Sequence, residues 1–163
     1  MQNFPPTIEA VKGWTGWYRC SITFKAAKAT IFNSVYLLCT NTDNSNISTG
    51  DGVSGIAVIG AQVTNANWAG ARCQTTGTPI LGGIRDIVLK QNLITNSADL
   101  STWTKSGVTI DSAETIDGIK CNKFSGINNT TFCYILSYPN MFPVGSKLST
   151  SFLFKRISTS VVS

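Results

Sequence analysis

The chain of 163 residues is long enough to bury a core of its own without cross-links. Charged residues make up 13% of it, about half the usual share, so that much of its polarity comes from serine, threonine and asparagine. This composition favours strands and turns over helices and excludes the surface typical of a helical cytosolic enzyme. The net charge of +5 is spread over single basic residues, of which only Lys155 and Arg156 are adjacent, so no nucleic-acid partner is expected.

Three strands are predicted in the first part of the chain, after an N-terminal arm. Residues 1–11 contain Pro5-Pro6 and are expected to form this extended arm. Tyr18 to Lys25 alternates apolar and polar side chains, which predicts a half-buried antiparallel strand. Ile31 to Thr40 is apolar throughout and predicts a more deeply buried strand, and Gly55 to Val63 predicts the next one.

An irregular stretch rich in asparagine, glycine and proline separates the two parts of the chain. We place a linker at residues 68–91, between half-domains at 12–67 and 92–157. Within this linker, Ile84 to Lys90 predicts either a short strand or a turn of helix. The two half-domains are expected to form one domain over residues 12–163.

The second part of the chain again shows short strands separated by turns. Val108 to Ile110 and Lys120 to Phe124 are predicted strands on either side of a turn at Asp117-Gly118. Thr131 to Tyr138 and Lys147 to Ile157 are the last two predicted strands. Because no segment has the period of a helix, the pattern predicts an all-β fold, an antiparallel β-sandwich of the jelly-roll type.

The cysteines and the hydropathy of the chain bear on disulfide bonds, secretion and membrane insertion. The five cysteines include no C-x-x-C pair and predict reduced, mostly buried thiols. We expect no signal peptide, since the first apolar run is short and broken by Pro5-Pro6. No stretch approaches the length of a membrane span, so no membrane partner is expected either.

Two groups of motifs carry a resemblance to a known family. The first group comprises Gly16-Trp17-Tyr18-Arg19, the loop from Gly50 to Gly55 (GDGVSG) and Gly60-Ala61-Gln62. The second comprises Asn92 to Ser97 (NLITNS) and Trp103-Thr104-Lys105. Together they resemble the jelly-roll, carbohydrate-binding-module-like and concanavalin-like domains of bacteriophage tail fibres and other virion proteins.

The chain departs from that family in order and in detail. In the family the second group of motifs comes first, whereas here it follows the first group. Either the half-domains complete one circularly permuted sandwich within the chain, or each is completed by a neighbouring subunit. In addition, Ile59 stands where the family usually has a tryptophan, and the acidic residue that normally follows is absent at Val63-Thr64. These differences weaken any transfer of function from the family to the region around Ile59 to Thr64.

The aromatic residues are the main candidates for a functional role. The resemblance implies that Trp17 and Trp103 are structural anchors in the core, because the family's motifs centre on them. Trp14 and Trp68 lie in looser surroundings rich in glycine and asparagine, where an exposed indole can stack on a sugar or contact a neighbouring subunit. Arg19, on the polar face of its predicted strand, is a further candidate contact, although such an arginine is more often a surface or salt-bridging residue.

The chain offers little for catalysis or metal binding. It contains no histidine, which excludes nucleophilic catalysis of the Ser-His-Asp or Cys-His type. Among its carboxylates only Asp99, near Trp103, has an aromatic neighbour, so glycoside hydrolysis is not expected. The Gly50 to Gly55 loop predicts a turn into a strand, and it lacks the lysine of a phosphate-binding loop. The alternative for this loop is a structural calcium on Asp51, which carbohydrate-binding jelly rolls often carry; no other cofactor is expected.

These observations favour a non-enzymatic structural protein of a phage virion, as a capsid decoration, fibre or tail-associated protein. Its expected partners are other virion proteins, including further copies of itself in an oligomer such as a trimer. The alternative is a carbohydrate-binding module that recognises glycans on the host surface.

Overall fold

A computed structural model of the chain describes residues 5–25, 35–38, 50–66, 70, 72, 74–76, 84–85, 88–89, 92–126, 134–137 and 145–158. Helix in these ranges is confined to one 3₁₀ turn, Leu100–Thr102. The strands are β1 (Thr7–Ala10), β2 (Trp17–Lys25), β3 (Val35–Leu38), β4 (Gly55–Thr64), β5 (Ile84–Arg85), β6 (Val88–Leu89), β7 (Thr104–Ser106), β8 (Val108–Asp111), β9 (Thr115–Ile116), β10 (Ile119–Lys120), β11 (Asn122–Gly126), β12 (Tyr134–Ser137) and β13 (Lys147–Ile157). No helix of the described ranges is both long and apolar enough to cross a membrane.

The strands form two sheets and two small ribbons. The larger sheet has six antiparallel strands in the order β1-β2-β13-β4-β11-β8, and the smaller one has three in the order β3-β12-β7. The ribbons pair β5 with β6 and β9 with β10. The prediction of an all-β, antiparallel fold is therefore confirmed.

Both sheets contain strands from both expected half-domains. β13 lies between β2 and β4, and its pairing with β2 runs from Lys147 opposite Lys25 to Lys155 opposite Trp17. In the smaller sheet, β12 lies between β3 and β7. In this structure a single chain thus supplies the strands of both half-domains to each sheet.

The larger sheet carries an apolar cluster on each of its faces. The first cluster contains Val58, Ala61, Val63, Leu93, Ile94, Leu100, Trp103, Val108, Phe124 and Leu148. The second contains Trp17, Ala57, Ile59 and Cys121. β4 supplies both clusters and is buried from residue 57 to residue 64, as expected for a strand covered on both sides.

A β-bulge in β4 shifts the alternation of its side chains between the two faces of the sheet by one residue. Ser151 lies opposite Gln62 and Leu153 opposite Ile59, so two residues of β4 face the single residue between them on β13. Gly60 occupies the bulge with a φ of +65°, in the left-handed region that glycine adopts without strain. As a result Ile59 and Gln62, although three residues apart, lie on the same face.

A buried hydrogen-bond network attaches the NLITNS motif to β4. The Oδ1 atom of Asn92 accepts hydrogen bonds from the backbone N–H groups of Val63 and Ile94, both at 3.1 Å. Its Nδ2 atom donates to the Ala61 carbonyl oxygen at 2.9 Å and to the Ser97 hydroxyl oxygen at 3.0 Å. The NLITNS motif therefore has a structural role in this chain: it satisfies backbone groups in the core.

Two segments differ from the expectations drawn from the sequence. The expected arm includes β1, which pairs with β2 from Thr7 opposite Ser21 to Ala10 opposite Tyr18. The expected linker at 68–91 contains the β5–β6 ribbon and the buried Thr75, whose hydroxyl donates to the Ile94 carbonyl oxygen at 2.6 Å. The β1 strand and Thr75 are thus packed on the domain.

Candidate functional site

Trp17 lies at the centre of the second apolar cluster and is tied to a distant hairpin. Its side chain is 1% exposed, and its Nε1–H donates to Oδ2 of Asp117 at 3.3 Å. Asp117 and Gly118 have φ values of +54° and +75°, the conformation of a type I′ turn between β9 and β10. Lys155 donates to the same carboxylate at 2.5 Å. The hydrogen bond from Lys155, and then that from Trp17, lowers the pKa of Asp117.

Trp103 lies in the first apolar cluster, on the opposite face of the larger sheet. It is 6% exposed, and its Nε1–H has no hydrogen-bond partner within the described part of the chain. A buried donor without a partner costs about 1–3 kcal/mol. In the described part of the chain, Trp17 is therefore held in its cluster by packing and a hydrogen bond, whereas Trp103 is held by packing alone.

Trp14 is half-buried and both of its neighbours belong to the same molecule. Its ring packs edge-on against Trp17, with the centroids 5.8 Å apart. The guanidinium carbon of Arg72 lies 5.9 Å from the centroid of the Trp14 ring, in a cation–π contact. The structure therefore places the Trp14 ring against Trp17 and Arg72. Trp68, the other tryptophan predicted to contact a ligand, lies outside the described residues.

A cleft with two arginines opens on the face of the larger sheet that carries Trp17. We call it the arginine cleft; it has a volume of about 250 Å³. Its lining residues are Glu9, Ala10, Val11, Arg19, Gly60, Gln62, Arg72, Ser151, Phe152 and Leu153. Glu9 of β1 lies directly opposite Arg19 of β2, and Gln62 of β4 is 1% exposed at the floor. The sheet thus supplies the floor, and the segment after β4 supplies Arg72.

A backbone carbonyl holds Arg19 in place, and a glycine leaves room for Arg72. The Nη2 atom of Arg19 donates to the Gly70 carbonyl oxygen at 2.6 Å. Gly60 leaves room for Arg72, since a Cβ atom at that position would lie 2.6 Å from the Arg72 Cδ atom. The bulge in β4 and the short segment after it therefore position the two positive charges at one cleft.

Asp51, which the alternative interpretation of the GDGVSG loop assigns to calcium, caps its own turn. Its Oδ1 atom accepts from the backbone N–H groups of Val53 and Ser54 at 2.9 and 2.6 Å, and its Oδ2 atom accepts from the Ser54 hydroxyl at 2.6 Å. These bonds, the Ser54 hydroxyl foremost, lower the pKa of Asp51. Within the described ranges, no three His, Cys, Asp or Glu side chains come together to hold a metal ion. One carboxylate already committed to its turn does not fit a calcium site.

An apolar patch lies on the other face of the larger sheet, beside the first cluster. We call it the apolar face and define it by Ile8, Tyr18, Cys20, Ile22, Phe152 and Phe154, which register places on one side of β1, β2 and β13. Ile8 is 65% exposed, Tyr18 42% and Ile22 38%. Burial raises the pKa of the Cys20 thiol, which keeps this residue protonated and apolar at neutral pH. The patch is hydrophobic surface that the described part of the fold leaves open.

Comparison with known proteins finds no matching family model, curated protein or solved structure. The arginine cleft is therefore defined by its geometry alone. Sequence reasoning selected Arg19 and Trp14 but missed Glu9, Gln62 and Arg72, which lay in the expected arm, a strand interior and the expected linker. No local signal marks these three residues, since only the order of the strands brings them to one cleft. Among the described residues that line the cleft, Glu9 is the one that carries a carboxylate.

Proposed function

We propose that the protein is a non-enzymatic structural component of a bacteriophage virion that works by packing against other proteins. The motif resemblance supplies the virion setting. The observation that supports the packing role is the apolar face, where exposed Ile8, Tyr18 and Ile22 adjoin half-buried aromatic side chains. Contiguous exposed apolar surface of this kind marks protein–protein contact sites.

The aromatic residues of the apolar face form a connected surface. The Tyr18 and Phe154 ring centroids are 5.8 Å apart, and those of Phe152 and Phe154 are 5.9 Å apart. Ile22 and Ile8 flank these rings on β2 and β1. Aromatic side chains at the centre of such a patch are the residues that contribute most to association in protein interfaces. We propose other subunits of the particle as the partners, with a second copy of this chain as the first one to test.

We further propose that the two sheets stack as a jelly-roll sandwich. Leu37 of the smaller sheet packs against the first cluster, which also contains Trp103, the residue before β7. Side chains from two facing sheets meeting in one core are the mark of a sandwich. Nuclear Overhauser contacts between the Leu37 methyls and Phe24 or Ile56 of the larger sheet would support this arrangement, and their absence in a folded sample would contradict it.

The packing role is tested by the oligomeric state of the purified chain. Light scattering over a range of protein concentrations should show association that Ile22→Thr weakens, because this change removes apolar surface from the apolar face and adds a hydroxyl group to it. Val53→Thr is the matched control, since Val53 is 50% exposed but lies away from this face. Association that both variants leave unchanged, or a chain that stays monomeric throughout, would contradict packing between copies through this face.

The virion setting is tested separately. Particles purified from a phage whose genome encodes this chain should contain it as a reproducible component in mass spectrometry, at a ratio to the major capsid protein that repeated purification does not change. Loss of the chain from the particles on purification, while known virion proteins remain, would contradict the proposal.

A further inference from the structure

We propose that the arginine cleft is a binding site for a single acidic sugar, a pyranose ring that bears a carboxylate group. The proposal is independent of packing through the apolar face, because Arg19 and Tyr18 are adjacent on β2 and point to opposite faces of the sheet. It rests on three properties of the cleft: two positioned arginines, one carboxylate among them, and a volume that suits one ring.

Arg72 is the residue that we assign to the ligand's carboxylate. Its guanidinium is held over the Trp14 ring, and Gly60 makes room for its alkyl chain. In the described ranges its guanidinium contacts the Trp14 ring, and we assign its N–H donors to the ligand. A planar guanidinium binds a carboxylate through two parallel hydrogen bonds, and stacking on an indole fixes the plane in which it does so. Arg19, fastened to the Gly70 carbonyl, adds a second positive charge at the cleft.

Glu9 determines which kind of anion fits. Its carboxylate lines the same cleft and lies opposite Arg19 across β1 and β2. A negative charge there repels a phosphate dianion, whereas it accepts hydrogen bonds from neutral hydroxyl groups. The cleft therefore selects a ligand that carries one negative charge at one end and hydroxyl donors at the other, which is the pattern of a sugar acid.

The floor and the size of the cleft point to the same ligand. The Gln62 side chain is buried at the floor, and Val11 and Leu153 add apolar surface on which the C–H groups of a ring can rest. The volume of about 250 Å³ is below the roughly 300–1,000 Å³ of pockets for drug-sized molecules. One monosaccharide thus fits, with a dissociation constant on the order of millimolar, as expected for a ligand with so few atoms.

The test is a ¹⁵N NMR titration of the full chain with glucuronate, glucose and inorganic phosphate. Glucuronate should shift the amide signals of Arg19, Gln62 and Leu153 and bind at least about tenfold more tightly than glucose, the loss expected when one charged pair is absent. Equal binding of glucose and glucuronate would overturn the assignment of the carboxylate to Arg72. Tighter binding of phosphate would identify a general anion site instead, and the absence of saturable shifts with any probe would overturn the proposal.

Two variants and one control sharpen the test. Arg72→Gln should weaken glucuronate binding about tenfold, whereas Arg156→Gln, the same charge change at an exposed residue of β13 away from the cleft, should leave it unchanged. Glu9→Gln should raise phosphate affinity severalfold because it removes the repulsion. Equal effects of Arg72→Gln and Arg156→Gln would show that binding depends on net charge alone and would contradict a built site.

Discussion

Trp17 donates its indole N–H to Asp117, a residue one hundred positions later, across a distance of 3.3 Å. The contact fastens the β9–β10 ribbon, which pairs with neither sheet in the described residues, onto the second apolar cluster. Lys155 of β13 donates to the same carboxylate and also to the Thr15 carbonyl oxygen at 3.1 Å. Two strands that are distant in sequence, β2 and β13, thus converge on one side chain of the ribbon.

Replacing each buried tryptophan by phenylalanine should separate hydrogen bonding from packing. Trp17→Phe loses the bond to Asp117, whereas Trp103→Phe removes an N–H group that has no partner in the described part of the fold. Both lose similar volume, so Trp17→Phe should cost about 1–2 kcal/mol more of the free energy of unfolding than Trp103→Phe does. Urea denaturation followed by far-ultraviolet circular dichroism measures both. Equal costs would show that the Asp117 bond contributes nothing to stability.

The stability of the fold should fall in acid, and Asp117 should account for part of that fall. The pKa of Asp117 is lowered in the folded state, chiefly by the hydrogen bond from Lys155. A carboxyl group of this kind stabilises the fold fully above its unfolded-state pKa of about 3.9, and the contribution is lost as the pH falls through the lower, folded-state pKa. Asp117→Asn keeps a residue that tolerates the type I′ turn. The stability difference between wild type and this variant should therefore be present at pH 7 and shrink as the pH falls below about 3.9; a difference independent of pH would contradict this account.

Replacing Gly60 by alanine should lower the stability of the protein more than replacing Gly52, a glycine of similar backbone conformation. Gly60→Ala places a Cβ atom at a φ of +65° and 2.6 Å from Arg72, whereas Gly52→Ala at a φ of +75° meets nothing within 4 Å. The backbone penalty of about 1–2 kcal/mol is common to both. Thermal denaturation should thus show a larger loss of stability for Gly60→Ala, by about 1 kcal/mol or more for crowding. Equal losses would mean that Arg72 moves aside at no cost, in which case glucuronate binding should weaken instead.

Asn92→Ala should be among the more destabilising polar substitutions in the chain. It removes four hydrogen bonds and leaves the backbone N–H groups of Val63 and Ile94 and the Ala61 carbonyl oxygen without this partner in the core. We expect a loss of about 3 kcal/mol, and hydrogen exchange should show faster exchange at the Val63 and Ile94 amides. Unchanged protection of these two amides would contradict the role assigned to the NLITNS motif.

The strands with strong alternation or long apolar runs could be predicted from the sequence, whereas pairing could not. Tyr18 to Lys25 and Lys147 to Ile157 were predicted within one residue of β2 and β13. The sequence predicts an extended arm where β1 lies, because the four residues of β1 follow Pro5-Pro6 and alternate too briefly to mark a strand. Its assignment depends on hydrogen bonds to β2. The predicted strands Ile31 to Thr40 and Thr131 to Tyr138 are described only at their β3 and β12 portions.

The candidate site was harder to predict than the fold, for a physical reason. Arg19 stood out because it lies on the polar face of a clear strand. Arg72 lies in a stretch with no periodicity, and its position depends on a bulge at Gly60 and on a tryptophan far away in sequence. Such positions are set by tertiary packing, which the local pattern of residues does not encode.

The place of β13 between β2 and β4 has a consequence for synthesis of the protein on the ribosome. The larger sheet is complete only when residues up to Ile157 have been made. Until then, the edges of β2 and β4 that pair with β13 lack their partner strand. Contacts between residues so far apart in sequence slow folding, and unpaired strand edges favour aggregation during that delay. A nascent chain of this protein that stalls before β13 is therefore a natural substrate for chaperones that bind on the ribosome.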